Sequence, residues 1–208
     1  MKGFEIQKTE AEDLTINVIK NPSLLPEILN GISSENPRVK FKSAKTLRFM
    51  SEKNPEMLYT EMDFFSRLLD SENNIIKWIA IDVIGNLTSI DSENKFDKIF
   101  NKYFGLLSDK SMITVGHVID NSGKIAKAKP YLTEKITSEL LKIEKIPTKP
   151  HLTLECKNIL LGKTIQAFNM YFVQITDKSS IVSFVKRQIK NTRNATKAKA
   201  ERFLKRFA

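Results

Sequence analysis

Two groups of residues in this chain have the types and spacing to do chemistry. The first is Trp78 and Asp82, an aromatic ring and a carboxylate four positions apart, which a helix sets one turn from each other on a shared face. Thirty-seven positions before Trp78 stands Phe41, with Lys45 and Arg48 following at helical spacing. Together they would give a wall an aromatic pair flanked by charges. The second group lies between Lys178 and Ala208, where ten Lys and Arg side chains face a single acid, Glu201. That segment carries +9 of the chain's net charge of +10, and the rest of the chain is nearly neutral. Within it, Lys199, Arg202, Lys205 and Arg206 fall on the side of a helix opposite an apolar stripe of Ala200, Phe203, Leu204 and Phe207 with Thr196. A positive face of this density attracts phosphate backbones, acidic protein surfaces or anionic lipid, the first with strong salt dependence. It also suits a polar helix capping a stack of repeats.

Catalytic constellations are sparse by comparison. "LLGKT" (Leu160 to Thr164) has the tail of a phosphate-binding loop, but Lys157 occupies the place of that motif's first glycine and no strand precedes it. His117 and His151 are the two histidines, and neither has cysteines or acids at metal-ligand spacing. His117 and Asp120 read as a helix-surface pair. No Gly-x-Ser-x-Gly elbow occurs. The one cysteine, Cys156, cannot close an intramolecular disulfide, which fits a reducing cytoplasm and a small buried side chain. The expectation is therefore no enzyme, no metal and no cofactor.

The elements that must position these residues are helices. In 208 residues, 41% hydrophobic and 28% charged, there are only seven Gly and seven Pro, and period-2 alternation is nearly absent. The first residues lack an apolar run of signal-peptide length, and the most apolar later stretch, Ile159 to Ile175, is broken by Lys163, Gln166, Asn169 and Gln174. Neither secretion nor a membrane span is expected.

A period organises the helices. The tripeptide Ser-Glu-Asn stands at 34–36 and again at 71–73, with a third copy at 92–94 that is off this spacing. A shift of 37 lays "VKFKSAKTLRFM" over "IKWIAIDVIGNL", so that Val39 meets Ile76, Phe41 meets Trp78, Leu47 meets Ile84 and Met50 meets Leu87. A further shift reaches Ser108, where the register slips by a residue. Each polar turn is preceded by a shorter amphipathic segment, "SLLPEILNGI", "DFFSRLLD" and "KIFNKYFGLL" in turn. Asn36 before Pro37 is an N-cap before a first-turn proline, and Asn73 and Ser111 fit the same role. "EKNP" and "KAKP" place Pro55 and Pro130 where the second helices should stop. "YLTEKITSELLKIEKI" then reads as a first helix, 146–150 as a loop, and "LTLECKNILLGKTIQAFNMYFVQI" as a long apolar second helix. A basic pair over 178–208 follows. Ahead of the pairs a helix is predicted over Glu10 to Lys20, opened by a capping box of Thr9 and Glu12.

This repeated pair resembles the HEAT repeat, best over 22–58 and 59–95 and least at Ser122 and Gly123, where that pattern carries bulk. The resemblance implies an all-α, right-handed α-solenoid of about five antiparallel helix pairs filling 1–208 as one domain. Armadillo-like three-helix units and an irregular helical bundle stay open. Such solenoids present a wall of second helices to an extended partner. The implied function is a non-enzymatic scaffold for a macromolecular partner, a protein first and a nucleic acid through the basic end as the alternative, with oligomeric state open. The tentative contact residues are Phe41, Lys45, Arg48, Trp78, Asp82, Lys199, Arg202, Lys205 and Arg206. Trp78 and Phe41 can equally be packing residues, because inner helices of a solenoid are buried on more than one side. Trp78 with Asp82 also resembles the aromatic and carboxylate of HEAT-like alkylpurine DNA glycosylases. Here a second Trp is missing and the basic excess is terminal, and Asp82 can instead be solvated or paired with Lys45.

Overall fold

In the computed structural model, residues 10–150 and 152–207 are described. They form eleven α-helices. A leading helix α1 (Glu10–Lys20) matches the predicted span; Thr9 of its capping box lies outside the described residues. Five helix pairs follow: α2 (Leu25–Gly31) with α3 (Pro37–Lys53), α4 (Met62–Leu68) with α5 (Asn74–Leu87), α6 (Lys95–Gly105) with α7 (Met112–Ala128), α8 (Thr133–Leu141) with α9 (Leu154–Tyr171), and α10 (Ser179–Gln188) with α11 (Asn194–Phe207). Short 3-10 turns precede or follow most of them. Among the described residues no helix is long and apolar enough to cross a membrane.

The turns explain the repeated tripeptide. Before α3, the Asn36 N–H donates to Ser34 Oγ at 3.2 Å, and Asn36 Oδ1 accepts from the Arg38 N–H at 2.9 Å. Before α5 the same bonds recur, Asn73 N–H to Ser71 Oγ at 3.2 Å and Ile75 N–H to Asn73 Oδ1 at 3.0 Å. Each Ser shapes the turn and each Asn caps the helix. Asp109 and Ser111 repeat the arrangement before α7, the Ser111 N–H donating to Asp109 Oδ1 at 2.8 Å and Ser111 Oγ accepting from the Thr114 N–H at 3.4 Å. The third tripeptide does another job. It joins α5 to α6, and its Asn94 takes a left-handed φ of 53°. There Asp91 caps α6, its two oxygens accepting from the Lys95 and Phe96 N–H groups at 2.8 and 3.0 Å.

The chain divides into two compact units, Met1–Val83 and Ile84–Ala208. In the first, α3 packs on α1 and α2, and Val18, Leu29, Ile32, Ala44, Leu47, Met50, Met62 and Phe65 supply its buried core. In the second, α7 lies against α9 and α9 against α11, so these second helices stand side by side in chain order. Glycines set their spacing. A Cβ on Gly123 of α7 would come 3.2 Å from the Ala167 carbonyl oxygen and 2.5 Å from Met170 Sδ, and one on Gly162 of α9 would meet Thr196 Oγ1 at 2.7 Å. Gly123, a misfit to the HEAT pattern, is thus what lets α9 approach α7. Aromatic edges fill the remaining core: Phe168 meets Phe184 with ring centroids 5.6 Å apart, and Phe172 meets Phe203 at 5.0 Å.

Candidate functional site

In the first unit, Phe41, Lys45 and Arg48 lie along one exposed stripe of α3, with Phe41 37% exposed. Trp78, half-buried, and Asp82 stand one turn apart on α5. Asp82 is neither solvated nor paired with Lys45. It is buried, and Arg48 reaches across from α3 to set Nε 3.3 Å from Asp82 Oδ2, while Glu52 lies 3.5 Å from the same Nε. The stripe on α3 and the carboxylate on α5 are therefore joined by one arginine, and Asp82 is engaged in holding helices together. Gly85, three residues after Asp82 on the same helix, is buried, as is most of α5.

In the second unit, the side chains of successive second helices are tied in a row. Lys124 of α7 donates to Asn86 Oδ1 of α5 at 2.9 Å. Lys163 of α9 pairs with Asp120 of α7. Lys199 of α11 donates to Gln166 Oε1 of α9 at 2.8 Å, and Arg206 donates to Asn169 Oδ1 at 3.4 Å. Asp120 thus belongs to Lys163 in this row; His151, the other histidine, lies outside the described residues.

The stripe of α11 packs as its pattern predicts, with Thr196, Ala200 and Phe203 buried and Leu204 and Phe207 half-buried. The four cations do not share one outer face. Lys199 and Arg206 turn toward α9, where with Arg202, Gln166, Asn169, Ile165 and Phe203 they line a groove of about 340 Å³. Lys205 stands exposed away from it. No acid lines this groove. Burial first, then the charges of Lys163, Arg193 and Arg202, hold the Lys199 ammonium below the ordinary lysine range, with Asp120 acting in the opposite sense. The groove gathers positive charge that repels itself, and an anion placed there relieves that repulsion.

Gln166 and Asn169, partners of this groove, stand in the sequence only as interruptions, with Lys163, of an apolar run. Their spacing of three places them on one helical face, which was the available signal. "LLGKT" is mid-helix in α9, so no loop exists there to cradle a phosphate. Among the described residues no group of three or more metal-ligating side chains assembles.

This geometry is that of a helical-repeat solenoid, and solved structures agree. The chain is similar to an engineered protein at 14% identity, over 96% of this chain and 92% of that one, with a TM-score of 0.54. It is also similar to a designed armadillo repeat protein at 12% identity, over 94% of this chain and 87% of that one, with a TM-score of 0.52. No protein-family model and no curated protein matches the sequence. The fold is an all-α solenoid of armadillo- and HEAT-like helix pairs.

Proposed function

We propose that the protein is a non-enzymatic binding module of a reducing cytoplasm whose C-terminal second helices, α9 and α11, dock a negatively charged macromolecule. One observation carries this reading: Lys199, Arg202 and Arg206 converge on an acid-free groove beside the amides of Gln166 and Asn169. Arg202 is exposed and has no ion-pair partner among the described residues, so its guanidinium is available to a carboxylate or phosphate in bidentate geometry. The stripe of Phe41, Lys45 and Arg48 with Trp78 is a secondary contact in the first unit, and Asp82 serves it by fixing Arg48.

Heparin-column retention tests the reading. Two triple variants each remove three positive charges: Lys199→Gln/Arg202→Gln/Arg206→Gln in the groove, and Lys98→Gln/Lys127→Gln/Lys145→Gln at exposed positions elsewhere in the same unit. The groove variant should elute at clearly lower salt than the control. Equal elution of the two would show that net charge alone is felt and would sink the proposal.

A further inference from the structure

Resting on that reading, we infer that the partner is duplex DNA, with α11 lying along the major groove and its cations meeting the phosphates on either side. The cations of α11 occupy more than one flank, with Lys199 half-buried and the others exposed. Lys199 and Arg206 lean toward α9, Arg202 and Lys205 stand on the open side, and Lys197 lies on the far flank, where the sole acid, Glu201, is 4.0 Å from it. A helix charged on both flanks matches a groove about 12 Å wide walled by two phosphate rows, as in B-form DNA. The A-form major groove is too narrow to admit it.

Two absences on this surface decide against other polyanions. Single strands are held by base stacking on exposed rings, yet Phe168, Tyr171 and Phe203 of α9 and α11 are buried, and Phe207 packs on Phe172 with centroids 4.8 Å apart. Protein interfaces are anchored by large apolar or aromatic side chains at their centre. The exposed side of α11 has none; its exposed residues are Asn194, Ala195, Lys197, Glu201, Arg202, Lys205 and Arg206. On α11 itself, charge without an apolar anchor fits a phosphodiester backbone, which is read by cations in a manner independent of sequence; the exposed apolar side chains nearby, Met170 and Val173, belong to the end of α9 and the turn after it.

The test is fluorescence anisotropy of the full chain with a labelled 20-base-pair DNA duplex between 50 and 200 mM salt. The same sequence as a single strand, an RNA duplex and poly-glutamate serve as competing probes. Duplex DNA should bind tightest, and the plot of log affinity against log salt should lose about 0.9 of slope for each phosphate contact removed. Arg202→Gln, which disturbs no packed group, should lose one contact, and the groove triple variant two or three. The Lys98/Lys127/Lys145 control should keep the full slope. Tighter or equal binding of the RNA duplex or the single strand overturns the assignment to B-form DNA. Preference for poly-glutamate, lost in the groove variant, overturns the DNA partner while leaving the docking groove standing. Binding of none of the probes overturns both.

Discussion

Lys129 and Asp91, 38 positions apart, form an ion pair of 2.9 Å in which the lysine side chain is 3% exposed and the carboxylate 0%. The pair links the end of α7 to the turn before α6, and the lysine also donates to Asn94 Oδ1 and to the Tyr131 hydroxyl, each at 2.9 Å. Removing one partner of a buried pair strands the other. Lys129→Met should therefore cost the C-terminal unit about 3–5 kcal/mol, read as a lowered urea midpoint. The double variant with Asp91→Asn should recover part of that loss, since the stranded charge is gone.

The same cluster sets an alkaline limit. Burial alone would lower the Lys129 pKa, but hydrogen bonds to Tyr131 and Asp91 and the Asp91 charge raise it, on balance, above the ordinary 10.5. A raised lysine stabilises the fold fully below that ordinary value and loses the contribution as pH rises through the raised one. Tyr131, raised by burial first and also by Asp97, shifts stability in the same direction. Urea midpoints should hold up to about pH 10 and fall above it, and the fall should be shallower in Lys129→Met.

Glycine replacements should separate by position. Gly123→Ala forces a methyl to within 3.2 Å of the Ala167 carbonyl oxygen and should destabilise by about 1–3 kcal/mol. Gly105, at the end of α6 with φ −57°, has nothing within 4 Å of its added Cβ. Gly105→Ala should stabilise by about 0.5–1 kcal/mol. Thermal melts of the two variants should move in opposite directions.

The duplicated tripeptide should behave as two equal caps and one exception. Asn36→Ala and Asn73→Ala each remove one N-cap and should cost about 1 kcal/mol. Asn94→Gly keeps the left-handed backbone free of strain but deletes an acceptor of Lys129 and Tyr131. Its effect should therefore vanish in a Lys129→Met/Tyr131→Phe background, whereas the effects of Asn36→Ala and Asn73→Ala should persist there.

How far the sequence could be read followed from the range of the forces involved. Caps and prolines act within a few residues, so Asn36, Asn73, Ser111, Pro55 and Pro130 marked the helix ends where they occur. The apolar stripe of α11 was equally legible, because its period belongs to that helix alone. The placement of Lys199 and Arg206 was not. A wheel drawn for one helix assigns flank positions to the side opposite the stripe, whereas these long side chains fold toward Gln166 and Asn169 on a helix some 35 residues away in the chain. Asp82 illustrates the same limit: its partner Arg48 is one turn beyond the residue that the sequence suggested.

The row of ties between second helices has a mechanical consequence. In the C-terminal unit these bonds, together with Thr137–Tyr171 and Asn158–Thr192, join residues 33 to 43 positions apart. None of these ties spans from the start of the unit to its end. Pulled from its two ends, such a chain resists only as strongly as its weakest neighbouring pair of helices and should yield in steps. Each step would release about 40 residues, roughly 130–140 Å of extended chain, so extension under load, more than any single breaking force, would characterise it.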